Sequence, residues 1–222
     1  VLLVSGLGGR VVPQSIRTAL LLVLAATTTP AGAAPDGMAL VAAGVSQIVV
    51  GLAAALPLLL VIEATRGAGG MVDWAAGRGA VTGQESSSSF ATIYGLAVIA
   101  TWSAVGGPLV AIRAHHAGIE RFGLGEALTL GGIAPLTEVA ISATGSAFAL
   151  CVALGLPVLG AALAVDLAMG WVGRALPSLQ VSFASMPLRL LVALSVVAAG
   201  LGAAVATAVD ALGVAAATGG LP

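Results

Sequence analysis

Residues 156–190 read LPVLGAALAVDLAMGWVGRALPSLQVSFASMPLRL, and this stretch decides the fold class. An apolar run opens at Leu156, carries a single acid at Asp166, and closes at Trp171, Gly173 and Arg174. A polar corner follows at Pro177-Ser178-Leu179-Gln180. Phe183 then begins an amphipathic return, and Ser185-Met186-Pro187-Leu188-Arg189 leads into a last apolar run that ends at Val209. Two apolar runs joined by a short polar corner with Gly and Pro punctuation make a helical hairpin, spanning residues 156–209.

The rest of the chain has the same character. It is 59% hydrophobic and only 8% charged, with a mean hydropathy of +1.13, whereas soluble domains carry about 25% charged residues. This is the composition of an all-α integral membrane protein built of kinked helical hairpins. The 8 basic residues are all Arg, and the formal net charge is −1, which leaves no electrostatic footprint for nucleic acid. Cys151 is the one cysteine, so neither a disulfide framework nor a cysteine zinc site is possible within the chain. Aromatics are few while Ala and Gly abound, a composition that lets helix backbones approach closely and suits packing against other subunits. The chain opens on Val1 rather than Met, and an upstream segment is expected.

Outward from the hairpin, punctuation divides residues 1–222 into the elements of a single helical body. Pro13 suits the first turn of a helix over residues 13–26, and Thr27 to Asp36 (TTTPAGAAPD) reads as a loop. Gly37 to Ile62 lacks charge and is long enough to cross about 30 Å of hydrocarbon, with a kink at Pro57 and an end at Glu63 and Arg66. Residues 67–89, GAGGMVDWAAGRGAVTGQESSSS, hold six glycines and four consecutive serines. Such a segment is expected to be an aqueous loop or cavity-lining backbone, since exposed backbone finds no partners in hydrocarbon and each Gly costs about 1 kcal/mol relative to Ala in a helix. Phe90 to Ile112 is again charge-free and long enough to span. Arg113 to Glu126 reads as a polar loop, and Ala127 to Gly155 as a helix kinked or split near Gly131-Gly132, Pro135 and Glu138. About five crossings result. Arg10, Arg17, Arg66, Arg78, Arg174 and Arg189 then share one side, which the positive-inside rule makes cytoplasmic.

Few residues suggest chemistry. His115-His116 are adjacent, about 100° apart on a helix, and do not form the i, i+4 pair of a zinc protease; they read as a solvated pair. Ser86 to Ser89 lack a Lys partner and a G-x-S-x-G context, and Gly77-Arg78-Gly79 is not a phosphate loop. Nothing calls for a catalytic residue, metal or cofactor. Asp166 is the exception of interest, because an intramembrane carboxylate costs about 2.5–3.5 kcal/mol to insert. It reads as half of an inter-helix pair with Arg174 or Arg189, or as a polar contact to a neighbouring subunit. With Glu138 it could instead be a coupling carboxylate of a polytopic small-molecule or ion transporter. Many transporter folds carry an internal repeat, and none is found here.

The corner residues Leu176 to Val181, with Phe183 and Ser185-Met186-Pro187-Leu188-Arg189, resemble the "APQLNVF…SMPLK" corner of the FliR/SctT family, the export-apparatus membrane proteins of bacterial flagella and type III secretion systems. The run Pro157 to Arg174 resembles the family's "P…L…AEL.LGLLNR" helix, with Asp166 at its acidic position and Gly170, Gly173 and Arg174 in loose agreement. Arg10-Val11-Val12-Pro13 through Arg17 and Leu20 resembles the early "R-x-V-P…R…LAL", and Glu63 to Gly83 the "EA…G…D…G" segment. Ser185-Met186-Pro187, and Val105-Gly106-Gly107 where flagellar members have "NGH", lean to the injectisome (SctT, SpaR, YscT or HrcT) branch. Trp171, Ser182 and the use of Arg for Lys depart from the pattern.

The resemblance implies a non-enzymatic subunit of the export gate in the bacterial inner membrane, at the core of the secretion basal body. One copy would close a helical ring with FliP/SctR and FliQ/SctS subunits, beside FlhB/SctU-like and FlhA/SctV-like components, and unfolded secreted proteins would pass through it. The 156–209 hairpin would resemble the small FliQ/SctS subunit, with Asp166, Gly170, Arg174, Pro177, Gln180, Pro187 and Arg189 serving assembly. The segment 71–89 would be the pore plug, carrying Met71, Asp73, Trp74, Gly77, Arg78, Gly79, Gly83 and Glu85. Among its apolar side chains Trp74 is the expected main anchor, since its ring buries the most area.

Overall fold

The computed structural model describes residues 37–77, 88–122, 130–175 and 181–218, with positions 15, 18, 19 and 22 before them. The described residues form helices and turns with no strand, so the fold is all-α as the composition requires. Five long helices follow one another: α1 (Met38–Ala75), α2 (Ser89–Ala104), α3 (Gly107–Phe122), α4 (Leu130–Ala175) and α5 (Val181–Thr218). Three stretches are long and apolar enough to cross a membrane, Gly51–Ala75, Thr137–Ala175 and Ser185–Ala217, and a fourth if α2 and the start of α3 count as one bent span. The expected crossing over residues 13–26 lies largely outside the described residues.

Four sequence-based boundaries move. The Gly37–Ile62 helix does not end at Glu63 and Arg66 but continues to Ala75. The split allowed for near Gly131-Gly132, Pro135 and Glu138 is absent: α4 is one helix from Leu130 to Ala175. A proline removes one hydrogen bond and bends a helix, but it ends the helix only where packing does not hold both sides. Pro157, farther along α4, is passed in this way, with Val158 and Ala162 buried just beyond it. The expected polar loop 113–126 is helical as far as Phe122: Pro108 sits in the first turn of α3, and Arg113 and His116 are exposed while Ala111 is buried. The expected turn at 27–36 lies outside the described residues. At the hairpin corner α4 stops at Ala175 and α5 resumes at Val181, with residues 176–180 also outside.

The fourth change divides the supposed span Phe90–Ile112. It is two helices bent by 72° at Val105-Gly106. Gly106 has φ +80°, a left-handed conformation that side chains rarely adopt, and its carbonyl accepts the Leu109 N–H at 3.0 Å to start α3. Gly107 lies directly beneath the buried indole of Trp102, where a Cβ would come 2.2 Å from Cε2. The elbow therefore needs a glycine twice, once for φ and once for space. Gly107→Ala must displace a buried ring, an overpacking cost of about 1–3 kcal/mol. A thermal melt of the detergent-purified protein should show a midpoint lower by about 5 °C, and an unchanged midpoint would show that the elbow yields freely.

The chain forms two compact units. One takes in residues 1–62, 102–147 and 210–222, and its fully buried side chains include Ile62, Trp102 and Leu212. The other takes in residues 63–101 and 148–209: the end of α1, most of α2, and the facing stretches of α4 and α5. Its core centres on Val72, Phe90, Tyr94, Val158, Ala193 and Val197, bordered by Leu159, Leu190 and Leu201. The residues singled out from the sequence fall chiefly in this second unit.

Candidate functional site

The second unit is built by close helix contacts at glycines. A Cβ at Gly69 would lie 2.4 Å from the Ala91 backbone, at Gly155 2.8 Å from the Met71 sulfur, and at Gly67 3.1 Å from Cys151 Sγ. The Arg66 stem lies across Gly95, 3.3 Å from where its Cβ would be, and the Arg66 guanidinium pairs with Glu63 at 2.7 Å on the exposed side. These contacts explain why residues 67–75 are helical although glycine count alone argued for a loop. Each Gly lowers intrinsic propensity, but it also brings two helix backbones together, and Val72 and Ala68 gain complete burial in return. The helix stops only at Gly77, with φ +78° and its N–H on the Trp74 carbonyl at 3.0 Å, the left-handed glycine that commonly closes a helix.

Beyond Gly77 the chain returns at Ser88, and Asp73 ties the two ends together. Asp73 is buried. Its Oδ2 accepts the Phe90 N–H at 3.1 Å and the Ser88 hydroxyl. Ser88 in turn caps α2: its Oγ accepts the Ala91 N–H at 3.1 Å, and its carbonyl accepts the Thr92 N–H at 3.0 Å. The N–H groups of Phe90 and Ala91, two of the four that a helix N-terminus leaves without intrahelical partners, are satisfied by Asp73 and Ser88. From the sequence, Ser88 stood out only as one of the four serines 86–89, and Phe90 only as the start of an apolar run. The available signal was local, a serine immediately before an apolar run; that a carboxylate fifteen residues earlier completes the cap is a tertiary fact.

The hairpin meets this junction. Arg189 on α5 pairs with the Asp166 carboxylate on α4, so of the two partners open to Asp166 the fold selects Arg189, while Arg174 is exposed in the last turn of α4. Each of the paired side chains is about one third exposed (34% and 39%), yet the atoms Asp166 Oδ1 and Arg189 Nε are shut off from solvent. One turn before Arg189, Met186 reaches Gly77, with its Cγ 3.8 Å from where a Cβ would stand. The Ser185–Arg189 motif and the end of α1 are thus neighbours, and Val72, Ala75 and Ala76 share one core cluster with Leu190 and Ala193.

The remaining candidates separate. Met71 is half-buried against Gly155. Trp74, the expected anchor, is 70% exposed: it lies on the face of α1 away from Val72 and Asp73, so Val72 and the Asp73 carboxylate hold this end of the segment instead. Arg78, Gly79, Gly83, Glu85, Pro177 and Gln180 lie outside the described residues. Gly170 is exposed on α4 and Pro187 lies exposed inside α5. Glu138 is exposed on α4, roughly eight turns from Asp166 on the same helix, which gives the two carboxylates no common ion site on that helix. His116 is exposed on α3 rather than in a loop, and no group of three metal-binding side chains occurs among the described residues.

Apolar helices longer than a bilayer requires, a glycine-packed helix junction and a charge-paired hairpin are the features against which known proteins can be compared. No curated protein matches the chain. The model of the family described as bacterial export proteins, family 1, matches residues 1–213, a range that takes in α1 to α4 and nearly all of α5, and with them the Asp73 junction and the Asp166–Arg189 hairpin. This chain belongs to the bacterial export proteins, family 1, the FliR/SctT family of export-apparatus membrane proteins.

Proposed function

We propose that this protein is a one-copy subunit of a type III export gate, on the injectisome (SctT) branch, assembled with FliP/SctR-like and FliQ/SctS-like subunits around a channel for unfolded proteins. The observation that carries this reading is helix length. Thr137–Ala175 is 39 residues and Ser185–Ala217 is 33 residues of apolar helix, about 58 and 50 Å at 1.5 Å per residue, against a hydrocarbon thickness of about 30 Å. To sink the longer helix wholly in the bilayer would need a tilt near 60°, beyond the roughly 40° that spanning helices reach. Ile141, Phe148, Leu156, Leu163, Leu167 and Trp171 nevertheless stay exposed along α4, a stretch of about 45 Å. Apolar surface that outruns the membrane needs protein to cover it, as in a ring of helical subunits raised above the bilayer plane.

The inner-membrane location, the neighbouring FlhA/SctV-like and FlhB/SctU-like components and the plug role of segment 71–89 belong to the same proposal, supported by the family and by the order of its motifs. The branch rests on Ser185-Met186-Pro187 and on Val105-Gly106-Gly107. The test is the native mass of the complex extracted in mild detergent through a tag on this chain. A single species many times the chain's 21.3 kDa, holding one copy of it with several copies of two smaller-repertoire membrane proteins, is the expected result. A monomer or homodimer would overturn the reading.

A further inference from the structure

We propose that Asp73 is a positioning residue that fixes both feet of the connection between α1 and α2, acting as a hydrogen-bond acceptor rather than as a charge. The Ser88 hydroxyl and the Phe90 N–H both converge on a single oxygen, Asp73 Oδ2. Ser88 cannot leave without exposing the first turn of α2, because its own Oγ and carbonyl hold the Ala91 and Thr92 N–H groups. On the α1 side Asp73 is held one residue from the fully buried Val72, and the backbones of α1 and α2 touch at Gly69 and Ala91. The left-handed turn at Gly77 is backed by Met186 of the hairpin. The two ends that the connection joins, Gly77 and Ser88, are thus held close to one carboxylate. This deepens the proposed plug role of the segment, but the junction itself stands on geometry independent of it.

The shared oxygen gives the test. Asn can place its carbonyl oxygen where Oδ2 lies and accept both hydrogen bonds, whereas Leu, of similar size, can accept neither. Hydrogen exchange measured on the intact detergent-extracted complex should therefore show the Phe90–Tyr94 amides exchanging roughly fivefold faster or more in Asp73→Leu, the factor that loss of one N-cap interaction of about 1 kcal/mol produces, while Asp73→Asn stays near the wild type. Equal protection in all three proteins would overturn the proposal, and so would an Asn variant as deprotected as the Leu variant, because that would make the charge the essential element. Ion leakage of vesicles holding the same complexes reads the plug role separately. Faster exchange in Asp73→Leu without leakage would keep the junction and discard the plug, and faster exchange with leakage would support both.

Discussion

Asp166→Ala and Arg189→Ala are each expected to lower the yield of assembled complex about a hundredfold, and the exchanged pair Asp166→Arg with Arg189→Asp to recover most of it. The pair links α4 to α5 across the hairpin, between helices that are mostly apolar around it. With one partner removed, the other charge stays against apolar surface, where an unpaired ion costs about 2.5–3.5 kcal/mol on insertion scales. Breaking a buried pair in a soluble interior costs about 3–5 kcal/mol; the partial exposure of both side chains argues for the lower figure, and about 2.7 kcal/mol is a factor of one hundred. The loss falls on assembly because the pair sets which turn of α5 meets which turn of α4, and so the shape that the hairpin offers its neighbours. Co-purification of the partner subunits through a tag on this chain measures it. Single variants that assemble normally, but fail in secretion, would assign the pair to proton or ion movement and not to structure. Failure of the exchanged pair would show that surroundings beyond the two charges fix their orientation.

Much of the helical plan was legible in residue type and spacing. Composition specified an all-α membrane-type chain, the Pro/Gly-marked corner located the hairpin between Ala175 and Val181, and the lone acid among apolar residues called for a partner, with Arg174, Arg189 and a neighbouring subunit all open. The readings that failed share one cause, the use of local propensity where tertiary contact decides. Glu63 and Arg66 looked like the end of a helix because they are charged, but they satisfy each other at i, i+3 and leave the opposite face free to pack. Gly67 and Gly69 looked like breakers because isolated glycine disfavours helix, but each marks a place where another element approaches too closely for a Cβ. Trp74 looked like an anchor because of its area, yet its position relative to Val72 turns it outward. The opposite error occurred at residues 90–112. A charge-free run of spanning length concealed an elbow, whose local signs were the doubled glycine at 106–107 and Pro108 after it. The Asp73 cap was beyond local reading altogether, since a carboxylate and a serine fifteen residues apart are paired only once α1 and α2 have packed.

Exchanging residues 78–87 for a shorter Gly-Ser linker should leave the complex assembled and let small ions cross vesicles that contain it, several-fold faster than with the wild-type complex and without any substrate present. What holds the two helices is distinct from what joins them. Asp73, Val72 and Gly77 on one side and Ser88 and Phe90 on the other carry the hydrogen bonds and the buried area of the junction. All of them survive the exchange, so the surfaces offered to partner subunits are unchanged. What is removed is a Gly- and Ser-rich stretch, RGAVTGQESS, with one Arg and one Glu and few apolar side chains. A composition with so few apolar groups offers little to bind one particular sequence tightly, which suits the proposed seal of a pore for unfolded chains. The same exchange discriminates plug from surface loop. Equal ion flux with and without residues 78–87, in complexes of equal native mass, would make the segment a plain connection. Leakage that appears only together with loss of assembly would show that the segment holds subunits in place and does not fill the channel. Trp74→Ala supplies the control, since the exposed ring contributes little to the fold of this chain. That variant should keep its thermal stability, and any leakage it shows would place the Trp74 ring against a neighbouring subunit at the pore.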